Sequence, residues 1–382
     1  MKIAIVHSYY SSSQPSGENN AVYAQAKALT DAGHSVRTIG VSTDDLSARP
    51  GYPLRAAVRV LLDRGVSPTR SLREFDPDVV HVHNTFPNIG NRWVMEWEGP
   101  LVATIHNYRS VCARGSLFRE GEPCALCPTV GSASAIRHAC YRGSRAATVP
   151  LAISTRSAGA HNALLKRADR LVFLSERSLA TLSRVTNVEL KLRAEVIPNF
   201  LAATDEPSSI ELDAPWIYVG RLAEEKGILQ LLEVWEPSTP LMVVGEGPVG
   251  DRARLIAARK NVHFTGNLPE SQVQSHVNGS RGLVFPSLWA EPAPALAYLH
   301  ALAGGRPTLT LANNAVGDHI SSAASGRVFE SLSSLAIAAS TYESLALEGA
   351  NAYRAFRNEF SPDAWVMRVE TMYQRARSGY AR

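Results

Sequence analysis

Short apolar runs alternate with amphipathic stretches along most of this chain. The runs are KIAIVHS, SVRTIGV, DVVHVHN, LVATIHN, RLVFLS and AEVIP in the first half, and PWIYVGR, LMVVGEG, NVHFTGN, RGLVFPS and RPTLTLA in the second. Continuous apolar runs bounded by turn residues are typical of strands that are buried on both faces of a parallel sheet. The stretches between them, such as NNAVYAQAKALTDAG, which Gly33 closes, predict helices. The pattern therefore predicts an α/β protein with parallel sheets.

The alternation is interrupted by the polar, proline-punctuated segment LAATDEPSSIELDAP, which predicts a linker. A chain of 382 residues is long enough for two domains of ~150 residues each. We therefore predict two doubly wound, Rossmann-like domains, residues 1–190 and 191–360. The remaining residues, 361–382, begin with Ser-Pro and continue with an amphipathic pattern, which predicts a C-terminal helix.

Composition limits the classes of function. Hydrophobic residues make up 45% of the chain and charged residues 19%, and the net charge of +4 does not indicate nucleic-acid binding. No stretch approaches the ~20 apolar residues of a membrane-spanning helix, and the first apolar run is too short for a signal peptide. The expected location is cytoplasmic. Arginines at positions 55, 59, 64, 70 and 73 predict either a peripheral contact with membrane phosphates or a solvated helix face.

The loops that follow the strands are the candidate sites, because ligands of open α/β sheets bind at the carboxyl ends of the strands. Gly17 lies in the first of these loops, at the entry to a helix. A glycine there allows backbone N–H groups to approach an anion, and an ordinary loop glycine is the alternative. The chain has no G-x-G-x-x-G motif, so a dinucleotide site of the dehydrogenase type is not supported.

The second domain contains a cationic loop, YVGRLAEEKGI. Arg221 follows its strand, and Lys226 lies where the next helix is expected to begin. Two cations at this place would clamp a diphosphate, because their charge neutralises a leaving group without a metal. Glu224 and Glu225 leave a solvated ion pair as the alternative. A later segment, VFPSLWAEPAPALAYLHALAGGRP, places the carboxylate of Glu291 on a loop between a strand and an apolar helix.

The order of these segments resembles the retaining glycosyltransferases of family 4, which have the GT-B fold. The resemblance is carried by Gly17 and by DPDVVHVHN, VATIHNYR, VIPNF, VGRLAEEKG, VVGEGP, FTGNLP, FPSLWAEP and ALAGGRP, in that order along nearly the whole chain. It is in particular a resemblance to a bacterial subgroup in which an HNYR run is followed by cysteines and a CYRGSR segment. The implied fold is two Rossmann-like, doubly wound domains that face each other across a cleft, with the C-terminal helix crossing back to the first domain.

The resemblance implies retaining transfer of a hexose or N-acetylhexosamine from a UDP or GDP sugar. The acceptor would be a hydroxyl of a glycan, glycolipid or natural product, in polysaccharide or natural-product biosynthesis. Arg221 and Lys226 would bind the donor diphosphate, and Gly17 would approach the distal phosphate. Glu291 would contact the sugar hydroxyls, and His106 would face the sugar across the cleft. The implied catalytic residues, acting through charge and position, are therefore His106, Glu291, Arg221 and Lys226. The implied donor site also includes Gly220, Ala293, Pro294, Ala295 and His300, and the implied acceptor contacts are Tyr9, His83, Asn84 and Asn107.

The chain departs from the family at one position of the donor site. In the family, a second glutamate follows the first by eight positions and binds the ribose, whereas Leu299 occupies that place here. Alignment on ALAGGRP puts His300 there instead, and an imidazole satisfies only part of the ribose hydrogen-bonding pattern. Because an unperturbed histidine titrates near ~6.5, nucleotide affinity is expected to vary between about pH 6 and 8. A nucleotide-sugar-binding protein with weak or no turnover is the alternative function.

All cysteines of the chain fall within one predicted insertion, residues 107–145. They are Cys112, Cys124, Cys127 and Cys140. The C-x-x-C pair presents two thiolates to one metal, and the two flanking cysteines complete a tetrahedral set. The prediction is a structural zinc that fixes the insertion beside His106, with free or transiently oxidised thiols as the alternative. His106 and His138 could substitute for a cysteine ligand.

No catalytic metal is expected. The DPD of residues 76–78 resembles the metal-binding D-x-D of another transferase fold, but it precedes a strand and therefore predicts a turn. The sequence leaves the donor base, the donor sugar, the acceptor and the oligomeric state open.

Overall fold

The computed structural model describes residues 1–12, 16–202, 206–342 and 345–380. The chain forms two compact units. The first comprises Met1–Arg119, Cys124–Pro198 and Trp365–Arg382, and the second comprises Glu120–Pro123 and Asn199–Ala364. The stretch of the first unit that begins at Cys124 ends at Pro198, whereas the predicted boundary between the domains is residue 190. Residues 13–15 of the predicted phosphate loop and residues 203–205 of the predicted linker lie outside the described residues.

The first unit contains a six-stranded parallel sheet, in the order β2-β1-β3-β4-β7-β8. The strands before and within the insertion are β1 (Lys2–Tyr9), β2 (Ser35–Ser42), β3 (Val79–Val82), β4 (Leu101–Ile105), β5 (Phe118–Arg119) and β6 (Glu122–Pro123). Those after it are β7 (Arg170–Phe173) and β8 (Ala194–Val196). Every residue of β3 is buried, as expected for a central strand of a parallel sheet that helices cover on both faces.

Helices connect the parallel strands of the first unit. They are α1 (Gly17–Asp31), α2 (Thr43–Ser47), α3 (Tyr52–Leu62), α4 (Thr69–Phe75), α5 (Leu126–Thr129), α6 (Ala133–Arg137), α7 (Arg145–Ser154), α8 (Ala163–Arg167) and α9 (Glu176–Val185), with 3-10 helices at Arg92–Glu96 and Arg156–Gly159. The helix predicted before Gly33 is α1. Helix α4 ends at Asp76, whose φ of 51° is left-handed, so the DPD segment forms a turn between a helix and a strand.

The second unit contains another six-stranded parallel sheet, in the order β11-β10-β9-β12-β13-β14. Its strands are β9 (Trp216–Val219), β10 (Leu241–Val244), β11 (Val262–Gly266), β12 (Gly282–Phe285), β13 (Thr308–Leu311) and β14 (Gly326–Phe329). Its helices are α10 (Ile228–Val234), α11 (Gly250–Ala257), α12 (Glu270–Asn278), α13 (Leu296–Ala303), α14 (Ala315–Ala323), α15 (Leu332–Thr341) and α16 (Ala346–Ala355), with a 3-10 helix at Glu224–Lys226 and a π-helix at Phe356–Phe360. The predicted α/β fold class with two doubly wound sheets is confirmed.

The described end of the predicted linker is fixed to the second unit. The side chain of Arg306 is fully buried and donates to the carbonyl oxygen of Ser208 at 2.9 Å and to its hydroxyl at 2.8 Å. It also donates to the carbonyl oxygens of Ser209, at 3.2 Å, and Asn278. Burying a guanidinium is costly unless it is hydrogen-bonded, and these bonds engage both terminal nitrogens of Arg306, while its Nε has no partner among the described residues. Ser208 and Ser209 therefore form part of the second unit.

The C-terminal helix is α17 (Pro362–Tyr380). Its buried side chains recur on one face, at Trp365, Val369, Met372, Tyr373 and Ala376. On its polar side, Arg375 pairs with Glu195 at 3.1 Å and Arg377 with Asp78 at 3.2 Å, and both acids belong to the first unit. Within the described ranges, no helix is both long and apolar enough to cross a membrane.

Candidate active site

Each sheet has one place where the order of the strands reverses. In the first unit this place lies between β1 and β3, and in the second between β9 and β12. Loops diverge there to opposite faces of the sheet and leave a crevice, which is where ligands of doubly wound sheets bind. The predicted site residues of both units are concentrated in the loops that follow these four strands, and each unit is considered separately.

The loop after β9 begins with Gly220 and Arg221. The hydroxyl of Tyr218, on a buried side chain, donates to the carbonyl oxygen of Arg221 at 3.0 Å and so fixes the start of the loop. The guanidinium of Arg221 pairs with Glu225, and its side chain is 58% exposed while that of Glu225 is 11% exposed. Arg221 therefore presents most of its donors to solvent, although it belongs to an ion pair.

Lys226 and Glu291 meet at the reversal point of the second sheet. The ammonium of Lys226 lies 2.6 Å from a carboxylate oxygen of Glu291, which also accepts from the hydroxyl of Ser287 at 2.9 Å. The side chains are 23% and 6% exposed, respectively. The ammonium also lies 5.6 Å from the ring centroid of Trp289, within the range of a cation–π contact. The two predicted site residues, which are far apart in sequence, are thus joined by a nearly buried ion pair.

Gly227 allows the loops after β9 and β12 to come together. Its φ of 71° is left-handed, and a β-carbon at this position would lie 2.1 Å from the carbonyl oxygen of Pro286. A side chain is excluded by both the conformation and this contact. The Lys226 backbone can therefore pass directly beside the end of β12.

The segment from Ala293 to Ala295 leads into α13. Ala295 occupies the N-cap position, and its carbonyl oxygen accepts from the N–H groups of Tyr298 and Leu299. The side chain of Leu299 lies in the hydrophobic core and is fully buried. The ring of His300 is nearly buried too, and its Nδ1 lies 2.6 Å from the amide oxygen of Gln274 on α12. Burial lowers the pKa of His300 to about 4. At neutral pH His300 is therefore an uncharged ring that is already engaged by a neighbouring helix.

In the first unit, three histidines lie within or directly after β3 and β4. His83 Nδ1 lies 2.9 Å from His106 Nε2, so one predicted acceptor contact is bonded to one predicted catalytic residue. His81 bonds instead to Thr104 at 2.7 Å and to the hydroxyl of Tyr373 at 2.8 Å, which explains its burial. Burial lowers the pKa of His81 and of His106 to about 3 and that of His83 well below its usual range. All three rings are therefore neutral at pH 7.

The loop after β1 leads to the N-terminus of α1. Gly17 is the first residue of this helix, in which the N-cap hydroxyl of Ser16 accepts from the N–H of Asn19 at 3.4 Å. The side-chain oxygen of Asn19 lies 3.0 Å from His7 Nε2. The Tyr9 ring stacks on that of Tyr23, with centroids 5.0 Å apart. Gly17 therefore lies at a helix N-terminus as predicted, while the Tyr9 ring is occupied by packing.

A cavity of about 430 Å³ opens in the first unit. Of the predicted site residues, His83, Asn84, His106 and Asn107 line it. Tyr9 does not line it among the residues that the structure describes. The cavity therefore brings together three of the four predicted acceptor contacts and adds His106 to them.

The sequence analysis missed several charged residues of this cavity, among them Glu18 and Arg109. Burial raises the pKa of Glu18 to about 7, and the guanidinium of Arg109 opposes this rise in part. The same guanidinium lies 4.3 Å from the ring centroid of Phe86. Both residues had a signal in the sequence, because Glu18 follows Gly17 and Arg109 ends the HNYR run.

The thiols of the insertion interact with one another. Burial, followed by the neighbouring Cys112, Cys140 and Cys124, raises the pKa of Cys127 to about 11. Burial together with Cys112 and Cys124 also raises the pKa of Cys140. All four are free thiols. Within the described part of the chain, no group of three or more histidine, cysteine or acidic side chains is arranged as a metal site. The donor set nevertheless has the chemistry that zinc prefers, and zinc binding stays a prediction.

Two family models match the chain in succession. The model described as "Glycosyltransferase Family 4" matches residues 15–203, and the one described as "Glycosyl transferases group 1" matches residues 208–359. Together they span most of both units.

Similar proteins agree with these two family models. The protein named "Putative teichuronic acid biosynthesis glycosyltransferase TuaC", from Bacillus subtilis, is 26% identical over an alignment of 343 residues, and the match covers 79% of this chain and 79% of that protein. Sucrose-phosphate synthase from Thermosynechococcus elongatus has a similar structure, with a TM-score of 0.69 at 16% identity and 99% of each chain covered. HepE from Anabaena, solved in complex with UDP-glucose, gives a TM-score of 0.63 at 12% identity over 97% of this chain and 99% of its own. The likeness to these two solved structures concerns the fold.

Proposed function

Because the chain belongs to the family 4 glycosyltransferases of the GT-B fold, we propose that it transfers a sugar, with retention, from a UDP-sugar to an acceptor hydroxyl. The observation that supports this most is the junction of Lys226, Glu291 and Ser287 at the strand-order reversal of the second unit. The choice of UDP rests on HepE, whose structures contain UDP or UDP-glucose, and nothing comparable supports GDP. The transferred group is proposed to be a hexose or N-acetylhexosamine.

The cations of the second unit would bind the donor diphosphate. A lysine ammonium has three donors, so Lys226 keeps two for phosphate oxygens while it holds Glu291. Arg221 has donors beyond those that reach Glu225, and its side chain is largely exposed. In the transition state, negative charge grows on the leaving diphosphate, and cations fixed beforehand stabilise it more than they stabilise the ground state. Such an arrangement would not require a catalytic metal.

The remaining donor contacts would surround this clamp. The free oxygen of Glu291 would accept from hydroxyls of the donor sugar, and the backbone of Ala293–Ala295 and Gly220 would line the phosphates. Gly17, at the N-terminus of α1, would favour the distal phosphate through the positive end of the helix.

His106 would act as a neutral hydrogen-bonding group toward the transferred sugar. Burial lowers its pKa to about 3, so it is not a proton donor of the imidazolium type at pH 7. Its bond to His83 fixes the orientation of its ring. A retaining reaction on one face of the sugar, in which the donor phosphate takes the acceptor proton, needs no other base. His83, Asn84 and Asn107 would bind the acceptor in the cavity of the first unit.

Helix α3 is the element that we assign to a peripheral membrane contact. It has no buried residue. Its exposed apolar side chains lie on one face, at Leu54, Val58, Leu61 and Leu62, and Arg55 is exposed beside them. An exposed helix that combines leucines with arginines fits the interface of an anionic membrane, where apolar side chains enter the acyl boundary and cations bind headgroups.

One observation favours the alternative, a nucleotide-sugar-binding protein with weak turnover. Neither residue at the place of the second family glutamate presents a carboxylate, since Leu299 is in the core and His300 is bonded to Gln274. If a ribose contact is missing, donor binding would depend mainly on the phosphates.

The test combines product analysis with variants. Purified protein would be incubated with UDP-sugars, UDP release would be measured, and NMR would give the anomeric configuration of the product. Lys226→Ala and Glu291→Gln should lower kcat/KM by about 100- to 1000-fold, the usual loss of one preorganised charged contact. Glu224→Gln removes an exposed carboxylate of the same loop and is the matched control, expected to keep full activity.

Three outcomes separate the functions. An inverted anomer would overturn retention. UDP binding without turnover in the wild type would establish the binding protein instead. Equal activity of wild type, Lys226→Ala and Glu291→Gln would place the chemistry elsewhere.

A further inference from the structure

The cavity of the first unit is strongly cationic. The charge comes from four arginines, Arg59, Arg92, Arg109 and Arg156, because two of the lining histidines, His83 and His106, are neutral at pH 7. Two acidic residues, Glu18 and Asp63, are present among the described lining residues. A volume of about 430 Å³ is in the range of small-molecule sites and is sufficient for a sugar with one further group.

The two acids offset part of this charge, through Asp63 beside Arg92 and Glu18 beside Arg109. Asp63 is turned toward Asn91, whose backbone N–H and side-chain amide donate to it at 2.9 and 3.2 Å. Glu18 has a carboxyl oxygen that is buried and makes no hydrogen bond within the described structure. Burial raises the pKa of Glu18 to about 7, so near neutral pH it is protonated for a large part of the time. With four arginines against two acids, the described lining keeps a net positive charge for a ligand.

Arg109 is held in place with a donor to spare. Its guanidinium donates to the carbonyl oxygen of Ala113 at 3.2 Å and stacks over Phe86. Its Nε is buried and has no hydrogen-bond partner among the residues that the structure describes. Buried polar atoms are rarely left without a partner in native proteins, so an unpaired donor beside a cavity points to a ligand.

We propose that this cavity binds a phosphate group of the acceptor. The inference rests on the proposed function, because it assumes that the first unit holds the acceptor. A phosphate offers three oxygens around one centre, which suits guanidinium groups that approach from different elements, and arginine binds phosphate through paired N–H donors. Arg59 comes from α3, Arg109 from the loop after β4, and Arg156 from the segment after α7. A neutral sugar would leave these charges uncompensated.

The phosphate could belong to a soluble sugar phosphate or to a lipid-linked sugar. Helix α3 contributes Arg59, Val60, Leu61 and Leu62 to the cavity, and Leu61 and Leu62 are also exposed. The cavity would bind the same phosphate group in both cases, and the experiment distinguishes a soluble sugar phosphate from a lipid-linked sugar.

The experiment is calorimetry on the full chain saturated with UDP. The titrants are glucose, glucose 1-phosphate, and vesicles of phosphatidylcholine with or without phosphatidic acid. At low salt we expect one of the phosphate-bearing titrants to bind at least tenfold more tightly than its neutral counterpart. Arg156→Gln and Arg92→Gln, both at exposed positions where folding is not at risk, should each lower that affinity about tenfold. Arg184→Gln, an exposed arginine outside the cavity, is the matched control and should have no effect.

The outcomes are distinguishable. Tight binding of glucose 1-phosphate that the cavity variants weaken supports the proposal with a soluble acceptor, and the same result for phosphatidic acid vesicles alone supports it with a lipid-linked one. Equal affinity for phosphorylated and neutral titrants overturns it, as does an equal loss in Arg184→Gln. If UDP itself fails to bind, the proposed function fails. If UDP binds but no phosphate-bearing titrant does, the inference alone fails.

Discussion

Gly227 determines how closely the backbone beside Lys226 approaches the end of β12. We expect Gly227→Ala to lower the free energy of unfolding by roughly 1–3 kcal/mol, because the new β-carbon requires both a strained φ and a displaced Pro286 carbonyl. The displacement should also reduce UDP affinity, since Lys226 is the next residue. Urea unfolding and calorimetry with UDP measure the two effects.

Gly51 is the control for this substitution. It has a similar φ of 70°, but a β-carbon there has nothing within 4 Å. Gly51→Ala therefore carries the conformational cost alone. If the two variants lose equal stability and both bind UDP normally, the contact with Pro286 has no role in the site.

The surroundings of His300 change the pH dependence that we expect for UDP affinity. Because burial lowers its pKa to about 4, the ring stays neutral across the range from about pH 6 to 8. We now expect UDP affinity to be constant over that range, and not to vary as the unperturbed pKa predicted. Calorimetry at three pH values would measure this affinity. A pH dependence that His300→Ala abolishes would instead support a titrating contact between His300 and the nucleotide.

Individual site residues differed in how well the sequence predicted them. Lys226 and Glu291 could be named because each follows a strand in a recognisable segment, although their mutual ion pair could not. Glu18 and Arg109 were missed because their significance comes from burial and proximity, which depend on packing between α1 and the loop after β4. The same holds for the bond between His83 and His106.

At the scale of elements, β1, β3 and β4 and the residues just after them carry four histidines, of which His7, His81 and His83 are buried and His106 is half-buried. Burial lowers the pKa of His7 to about 4, that of His81 and His106 to about 3, and that of His83 well below its usual range. The unfolded chain binds protons on these rings below ~6.5, whereas the folded chain does not. The stability that they contribute is complete above pH ~6.5 and is lost as the pH falls toward their folded pKa values.

We expect the free energy of unfolding to fall by at least ~2 kcal/mol between pH 7 and 5, since each such histidine contributes up to ~1.4 kcal/mol per pH unit. Glu18 acts in the opposite direction, because its raised pKa means that its contribution is lost as the pH rises toward about 7, but it is one group against four. Urea titrations at pH 7, 6 and 5 measure the slope. His263→Gln, at an exposed histidine of the second unit, is the control, and an unchanged stability at pH 5 would contradict the argument.

The insertion between β4 and α7 gives a second prediction at this scale. We expect about one zinc per chain in freshly reduced protein, because burial and the neighbouring thiols raise the pKa values of Cys127 and Cys140, and a metal would stabilise the thiolates of the four cysteines. Mass spectrometric metal analysis measures it. Cys124→Ser combined with Cys127→Ser should remove the metal and lower the unfolding temperature. Wild-type protein without zinc would instead establish free thiols.

At the scale of the whole molecule, the proposed membrane association would depend on α3. Wild-type protein should sediment with vesicles that contain phosphatidylglycerol and much less with pure phosphatidylcholine. Leu54→Ser combined with Leu61→Ser should reduce this binding about tenfold or more, because each leucine buried at an interface contributes ~1.5 kcal/mol or more. Leu255→Ser, at a leucine that is 77% exposed in the second unit, should have no effect. If wild-type protein stays in the supernatant with both vesicle types, α3 is a solvated helix and does not bind membranes.

The global architecture was the most predictable feature. Parallel sheets bury their strands on both faces, so they leave continuous apolar runs, and these runs identified both doubly wound units. The limits of the first unit were less predictable. The stretch that begins at Cys124 continues to Pro198, because the residues after β8 still belong to the first unit. No change of composition marks Pro198 in the sequence.

The return of the last helix has a consequence for synthesis of the protein. Residues that complete the first unit, from Trp365 on, are made after the whole of the second unit, whereas the rest of the first unit is made by Pro198. At typical rates of translation the apolar surface that receives Met372 and Tyr373 stays uncovered for roughly 10 to 30 seconds. The second unit has its whole sequence available before the first does. The usual order, in which the N-terminal domain is complete before its successor, is therefore reversed, and the nascent first unit is the part most in need of a chaperone.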